Sequence, residues 1–102
     1  MAGREDRGAS FTEGRDGDSL VLRFEGEWTT PQVALADKAL RGLETRGVKK
    51  AELDLSSIEL LDTTGAWLVA RCRLALEAAG AEVAVSGSDA ARDALLAKVL
   101  HQ

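Results

Sequence analysis

Short runs with every second position apolar alternate along this chain with longer runs of helical period. Leu20, Leu22 and Phe24 occupy alternate places over residues 20–25, the period of a strand buried on one face. Residues 14–18 before them are rich in turn formers, so residues 10–13 are expected to form a short edge strand and close a hairpin. After Gly26, Thr29 suits a helix N-cap and Pro31 the first helical position, where its missing N–H costs nothing. Val33, Ala36, Leu40 and Leu43 then recur at helical spacing, with Asp37, Lys38, Arg41 and Glu44 outside the stripe and Gly47 as the expected stop. Residues 51–55 alternate again with Leu53 and Leu55 inward, and residues 58–61 carry apolar weight up to Asp62. Residues 64–79, closed by Gly80, read as a second helix, and residues 81–85 as a strand with Val83 and Val85 buried. A last helix over residues 90–100, capped by Ser88 or Asp89, packs through Ala91, Leu95 and Val99, widened by Leu96 and Leu100. The order is β-β-α-β-α-β-α. Such strand–helix–strand units imply right-handed crossovers and an α/β fold: a mostly parallel sheet of about four strands, an N-terminal antiparallel hairpin and about three helices.

A chain of 102 residues allows one core, so residues 1–9 are read as a flexible polar lead and residues 10–102 as a single domain. Its 45% hydrophobic and 29% charged residues lie far from the disordered regime. Thirteen Lys and Arg against 17 Asp and Glu give a net charge of −4, which offers no footprint for a polyanion and argues against nucleic acid as partner. The aromatic residues are Phe11, Phe24, Trp28 and Trp67, too few and too scattered for a base-stacking platform. One cysteine, Cys72, and one histidine, His101, cannot make a disulfide or a four-ligand zinc site, so no metal and no cofactor is expected. Neither a signal peptide nor an apolar run long enough to span a membrane appears, and a cytoplasmic location is expected.

The common phosphate-loop, dinucleotide, nucleophile-elbow and zinc-protease motifs are absent. His101 is penultimate and Cys72 falls on the apolar side of the second helix, so no nucleophile has a base beside it. Asp54, Glu59 and Asp62 cluster in sequence, but turn and cap roles account for aspartates there better than acid/base chemistry. No enzymatic activity is expected.

The sharpest feature is the run from Leu61 to Trp67 between strand and helix. Locally, Asp62 and the threonines suit an ordinary N-cap. A helical wheel, however, puts Leu68, Val69, Cys72, Ala75, Leu76 and Ala79 on the core side, and Thr63, Trp67, Ala70, Leu74 and Ala78 opposite, with Arg71 at the margin. An outward face of that composition suits a protein partner, unless another helix covers it. Thr63 is then a sensible switch, because a phosphate there would repel Asp62 and a closely packed partner. A helix N-terminus could instead welcome a nucleotide phosphate. Trp28 has two readings, a lid over the end of the sheet or an extension of the partner surface.

The run from Leu53 to Gly65, LDLSSIELLDTTG, resembles the STAS domain, named for sulfate transporters and anti-sigma factor antagonists: an apolar strand ending D-x-S, a hydrophobic stretch, then D-[ST]-[ST]-G opening a helix. Gly26-Glu27 also matches a weaker motif of that family. The resemblance covers roughly residues 10–100 and implies the element order already derived. It makes Thr63 the phosphorylatable hydroxyl in a turn shaped by Asp62, Thr64 and Gly65, and makes Trp67, Ala70, Arg71 and Leu74 the partner surface. The D-T-T-G-A-W form is most similar to STAS domains of bacterial Mla-type phospholipid ABC transporters, free-standing or at the N-terminus of the permease. That implies a non-enzymatic regulatory module bound to the ATPase subunit at the cytoplasmic face of the inner membrane. The C-terminal Leu100-His101-Gln102 reads like a cut ahead of further sequence. The alternative is an anti-sigma factor antagonist whose kinase-like partner phosphorylates Thr63; the antagonists usually carry Ser there.

Overall fold

The computed structural model describes residues 8–100, apart from the side chain of Leu35. Most of the lead expected over residues 1–9, and His101 and Gln102, therefore lie outside the described residues. The elements run β1 (Ser10–Asp16), β2 (Ser19–Trp28), a short 3-10 turn (Thr30–Gln32), α1 (Ala34–Arg41), β3 (Lys50–Leu61), α2 (Thr63–Ala78), β4 (Glu82–Ser86) and α3 (Ala90–Leu100). They form a four-stranded sheet in the order β1-β2-β3-β4, antiparallel between β1 and β2 and parallel elsewhere. This is the α/β architecture that the hydrophobic pattern predicts.

The hairpin is tighter than expected. Gly17, with φ 64, supplies the positive φ that a two-residue turn needs, so β1 continues through Gly14, Arg15 and Asp16 and pairs Asp16 with Ser19. β3 runs unbroken for 12 residues up to the Asp62 turn, the one strand expected between the first two helices. Its register against β2 shifts twice, between Arg23 and Glu25 and between Gly26 and Glu27. An extra residue at a bulge reverses the faces, which is why the buried positions step from Ala51, Leu53 and Leu55 to Ile58. β4 pairs only with Lys50–Asp54, leaving β3 beyond that point with β2 on one side alone. There Arg92 of α3 donates to the Ile58 carbonyl at 3.0 Å and the Leu55 carbonyl at 3.4 Å.

α1 corrects the expected helix at both ends. Pro31 sits in the 3-10 turn, and the helix stops at Gly42, not Gly47. Gly42 N–H bonds to the carbonyls of Lys38 and Ala39 and Leu43 N–H to that of Leu40, so the last turn tightens and the chain leaves. Leu43 still packs on the core, which explains why the apolar spacing ran past the true end. α3 buries Leu96 and Val99, with Leu95 half-buried and Ala91 exposed, so its packed stripe lies further round than expected. Asp89, not Ser88, caps it, accepting from Arg92 N–H at 2.8 Å. Val83 and Val85 are half-buried, as befits an edge strand.

The core lies between the helices and one face of the sheet: Leu20, Leu22 and Phe24 of β2, Leu53 and Leu55 of β3, and Leu68, Val69 and Leu76 of α2. Phe24 joins the rings of Phe11 and Trp28, with centroids at 6.3 and 5.0 Å. Val21, Arg23, Glu52 and Ala84 on the other face are exposed.

Candidate functional site

The turn between β3 and α2 is built around Asp62. Its backbone is extended, and its Oδ1 accepts from Gly65 N–H at 2.9 Å, capping the helix. Its Oδ2 accepts from Thr30 N–H at 2.9 Å and the Thr30 hydroxyl at 3.2 Å, so one carboxylate ties the end of β3 to the segment following β2. Partial burial alone would raise the Asp62 carboxyl, but the amide and hydroxyl donors of Gly65 and Thr30 outweigh it and hold the group below the ordinary carboxylate range. Thr30 was not among the expected site residues. The Thr29-Thr30-Pro31 run reads only as the start of a helix, and its contact with Asp62 spans 32 residues.

Gly65 permits this junction. A Cβ on it would stand 1.9 Å from the Trp28 carbonyl oxygen, so only glycine lets the first turn of α2 lie against the end of β2. That carbonyl also accepts from Asp62 N–H at 3.2 Å. Trp28 itself is fully buried, edge-on to Phe24, with Nε1 donating to the Glu25 carbonyl at 2.9 Å. Of its two readings, the lid over the end of the sheet is the one seen.

The two threonines of the turn part company. Thr64 is half-buried and its hydroxyl lies 2.8 Å from that of Thr30. Thr63, the first helical residue, is exposed, and its hydroxyl enters none of these bonds. Trp67 and Leu74 follow on the same side of α2, 44% and 48% exposed, with Arg71 between them in the helical stripe. Arg71 is half-exposed and pairs with Asp37 of α1. Asp37, like Asp62, is subject to burial that would raise it, but Arg41 and Arg71 together hold its carboxyl below the ordinary range.

Ala70 corrects the outward face drawn from the wheel. It is 3% exposed, because at about 100° per residue it stands roughly 60° round the helix from Trp67, on the side where Leu96 and Leu100 of α3 close over it. The wheel also overstates the core side, where Ala75 and Ala79 are exposed. The structure thus brings together Asp62, Thr64 and Gly65 as the frame of the turn and Thr63, Trp67, Arg71 and Leu74 as its outer surface, and leaves Ala70 inside.

The remaining chemical candidates sit apart from this surface. The Asp54 carboxylate accepts from Ser56 N–H at 3.0 Å and the Ser56 hydroxyl at 2.7 Å, with Arg23 at 3.3 Å, and these donors hold it below its ordinary range. Glu59 is exposed on β3. Cys72 is buried, which pushes its thiol up to about 11. Among the described residues no three His, Cys, Asp or Glu side chains gather as a metal would need, and no helix is long and apolar enough to cross a membrane.

No protein-family model and no curated relative matches the chain. Its structure, however, resembles several solved ones. An anti-sigma factor antagonist STAS domain from Rhodobacter sphaeroides superposes with a TM-score of 0.60 at 21% identity, over 78% of this chain and 85% of that one. The antagonist SpoIIAA in its unphosphorylated form gives 0.63 at 16% identity, over 86% of this chain and 82% of that one. The murine anion transporter Slc26a9 gives 0.62 at 12% identity, over 94% of this chain but only 18% of the transporter. The longer chain of Mglu likewise matches over 20% of its length, at 26% identity with a TM-score of 0.64. Sheet order, helix placement and these superpositions agree that the chain has the fold of STAS domains.

Proposed function

We propose that residues 10–102 form a single non-enzymatic interaction module that docks on a protein partner through the turn at Thr63 and the outer stripe of α2. The observation that carries this reading is the exposure of Trp67 and Leu74, two large apolar side chains on one helical stripe below the exposed Thr63. Asp62, Thr64 and Gly65 hold the turn in shape, and Arg71 supplies a charge between the two apolar contacts. The partner proposed is the ATPase subunit of an Mla-type lipid ABC transporter, a reading supported by the D-T-T-G-A-W run, and in that role the module works at the cytoplasmic face of the inner membrane.

A second reading is supported by the antagonist structures, whose lengths this chain covers by more than four-fifths. It makes the module an anti-sigma factor antagonist, released when a kinase-like anti-sigma factor phosphorylates Thr63. A phosphate there adds about −1.5 to −2 charges. The helix N-terminus tolerates that charge, whereas Asp62 beside it and a closely packed partner do not.

Affinity capture from source cells with solubilised membranes tests both, using wild-type, Trp67→Ala and Thr63→Glu baits and mass spectrometry of prey and bait. An ABC ATPase recovered by wild type with unmodified Thr63, and lost with both variants, supports the transporter module. A kinase-like anti-sigma factor, with phosphate on Thr63, supports the antagonist. Recovery of either partner undiminished by both substitutions sinks the shared docking surface.

A further inference from the structure

Between α1, the segment that follows it and α2 lies a cleft of about 220 Å³, of whose lining the docking reading uses Arg71 alone. Leu40 and Leu43 line it from one side and Leu68 from the other, with the buried Cys72 among them. The lining carries two cations, Arg41 and Arg71, and no carboxylate. Both guanidiniums pair with the same acid, Asp37: Arg41 spans its two carboxylate oxygens, with Nε at 3.3 Å from Oδ1 and Nη2 at 3.2 Å from Oδ2, and Arg71 also bonds to Oδ1. One carboxylate cannot neutralise two guanidiniums, so the mouth of an apolar cleft keeps a surplus positive charge on a protein whose net charge is −4. Each guanidinium also has more N–H donors than Asp37 can take up.

We propose that this cleft binds a small amphipathic monoanion, a carboxylate with a short unbranched alkyl tail. The carboxylate sits on the N–H donors that Asp37 leaves over on Arg41 and Arg71, and the tail lies against Leu40, Leu43 and Leu68. The volume falls below the roughly 300–1,000 Å³ of pockets for drug-sized ligands, so a nucleotide or a whole phospholipid does not fit. A neutral apolar ligand would fill the cleft but leave the charge at its mouth unanswered. The proposal does not rest on the docking reading.

Cys72, the chain's one cysteine, is a built-in reporter. With octanoate as probe, the slow alkylation of Cys72 by N-ethylmaleimide falls saturably, by roughly tenfold at ten times the dissociation constant, because the buried thiol reacts only in transiently opened molecules and octanoate holds the cleft closed. Acetate, which lacks the tail, and octanol, which lacks the charge, protect far less at equal concentration. Arg41→Gln and Arg71→Gln each raise the half-saturating octanoate concentration several-fold and leave the effect of octanol unchanged. Titration calorimetry with octanoate on the same three proteins reads the affinity without the thiol. Absence of saturable protection together with absence of binding heat overturns the proposal. So does equal protection by octanol, or an unchanged octanoate affinity in both arginine variants.

Discussion

Gly65 and Asp62 join β2 to α2, and each does so through a different kind of contact. A methyl group at Gly65 would meet the Trp28 carbonyl oxygen at 1.9 Å, a backbone atom that cannot rotate away. Gly65→Ala is therefore expected to lower stability by more than about 3 kcal/mol, read as a fall in the urea midpoint. Asp62 acts through charge, and its effect depends on pH. Its carboxyl is depressed in the folded state below the ordinary value of 3.8, so its stabilisation is complete above that value and is lost as pH falls through the lower, folded one. Asp62→Asn is thus expected to be less stable than wild type at neutral pH, and the gap between their urea midpoints should narrow in acid. The turn itself was legible in the sequence, because an aspartate, two threonines and a glycine after an apolar strand have few other uses. Thr30 was not legible, since nothing in a linear string shows that residue 30 lies beside residue 62.

On α2, periodicity separates sides but not neighbours. The wheel correctly puts Leu68, Val69, Cys72 and Leu76 inward and Trp67 and Leu74 outward, because burial against the sheet follows the 3.6-residue period. Ala70 escaped it because α3, a different element, decides what covers that flank. The packing makes a contrast that equilibrium unfolding can check. Leu76→Ala empties a site with no exposure and should cost about 2–5 kcal/mol, whereas Trp67→Ala should cost about 1 kcal/mol or less and act on partner binding instead. Helix ends were the least legible. Gly42 and Gly47 are both plausible stops, and hydrogen bonds to the Lys38 and Ala39 carbonyls, not composition, select the first.

Taken whole, the molecule is a sheet with helices over one face and polar residues over most of the other. That asymmetry is what the alternation of β2 dictates, since Val21, Arg23 and Glu25 fall between its buried positions. The antiparallel hairpin and the parallel pairing across the two helical crossovers were legible in the sequence; the bulges of β3 were not, because a register shift leaves no mark but a break in alternation. This unequal pairing has a consequence for solubility. Beyond Asp54, β3 pairs with β2 alone; the Gly87 backbone packs against Ser56 there, and Leu60 further along is 54% exposed. The Arg92 guanidinium occupies two carbonyls of that stretch with a charge that an incoming strand would have to displace. Arg92→Ala is expected to leave the monomer folded yet raise light scattering in concentrated solution, where the wild type stays clear. On that view one side chain of the last helix is a gatekeeper against fibrous self-assembly, a role invisible in any inventory of what stabilises the isolated chain.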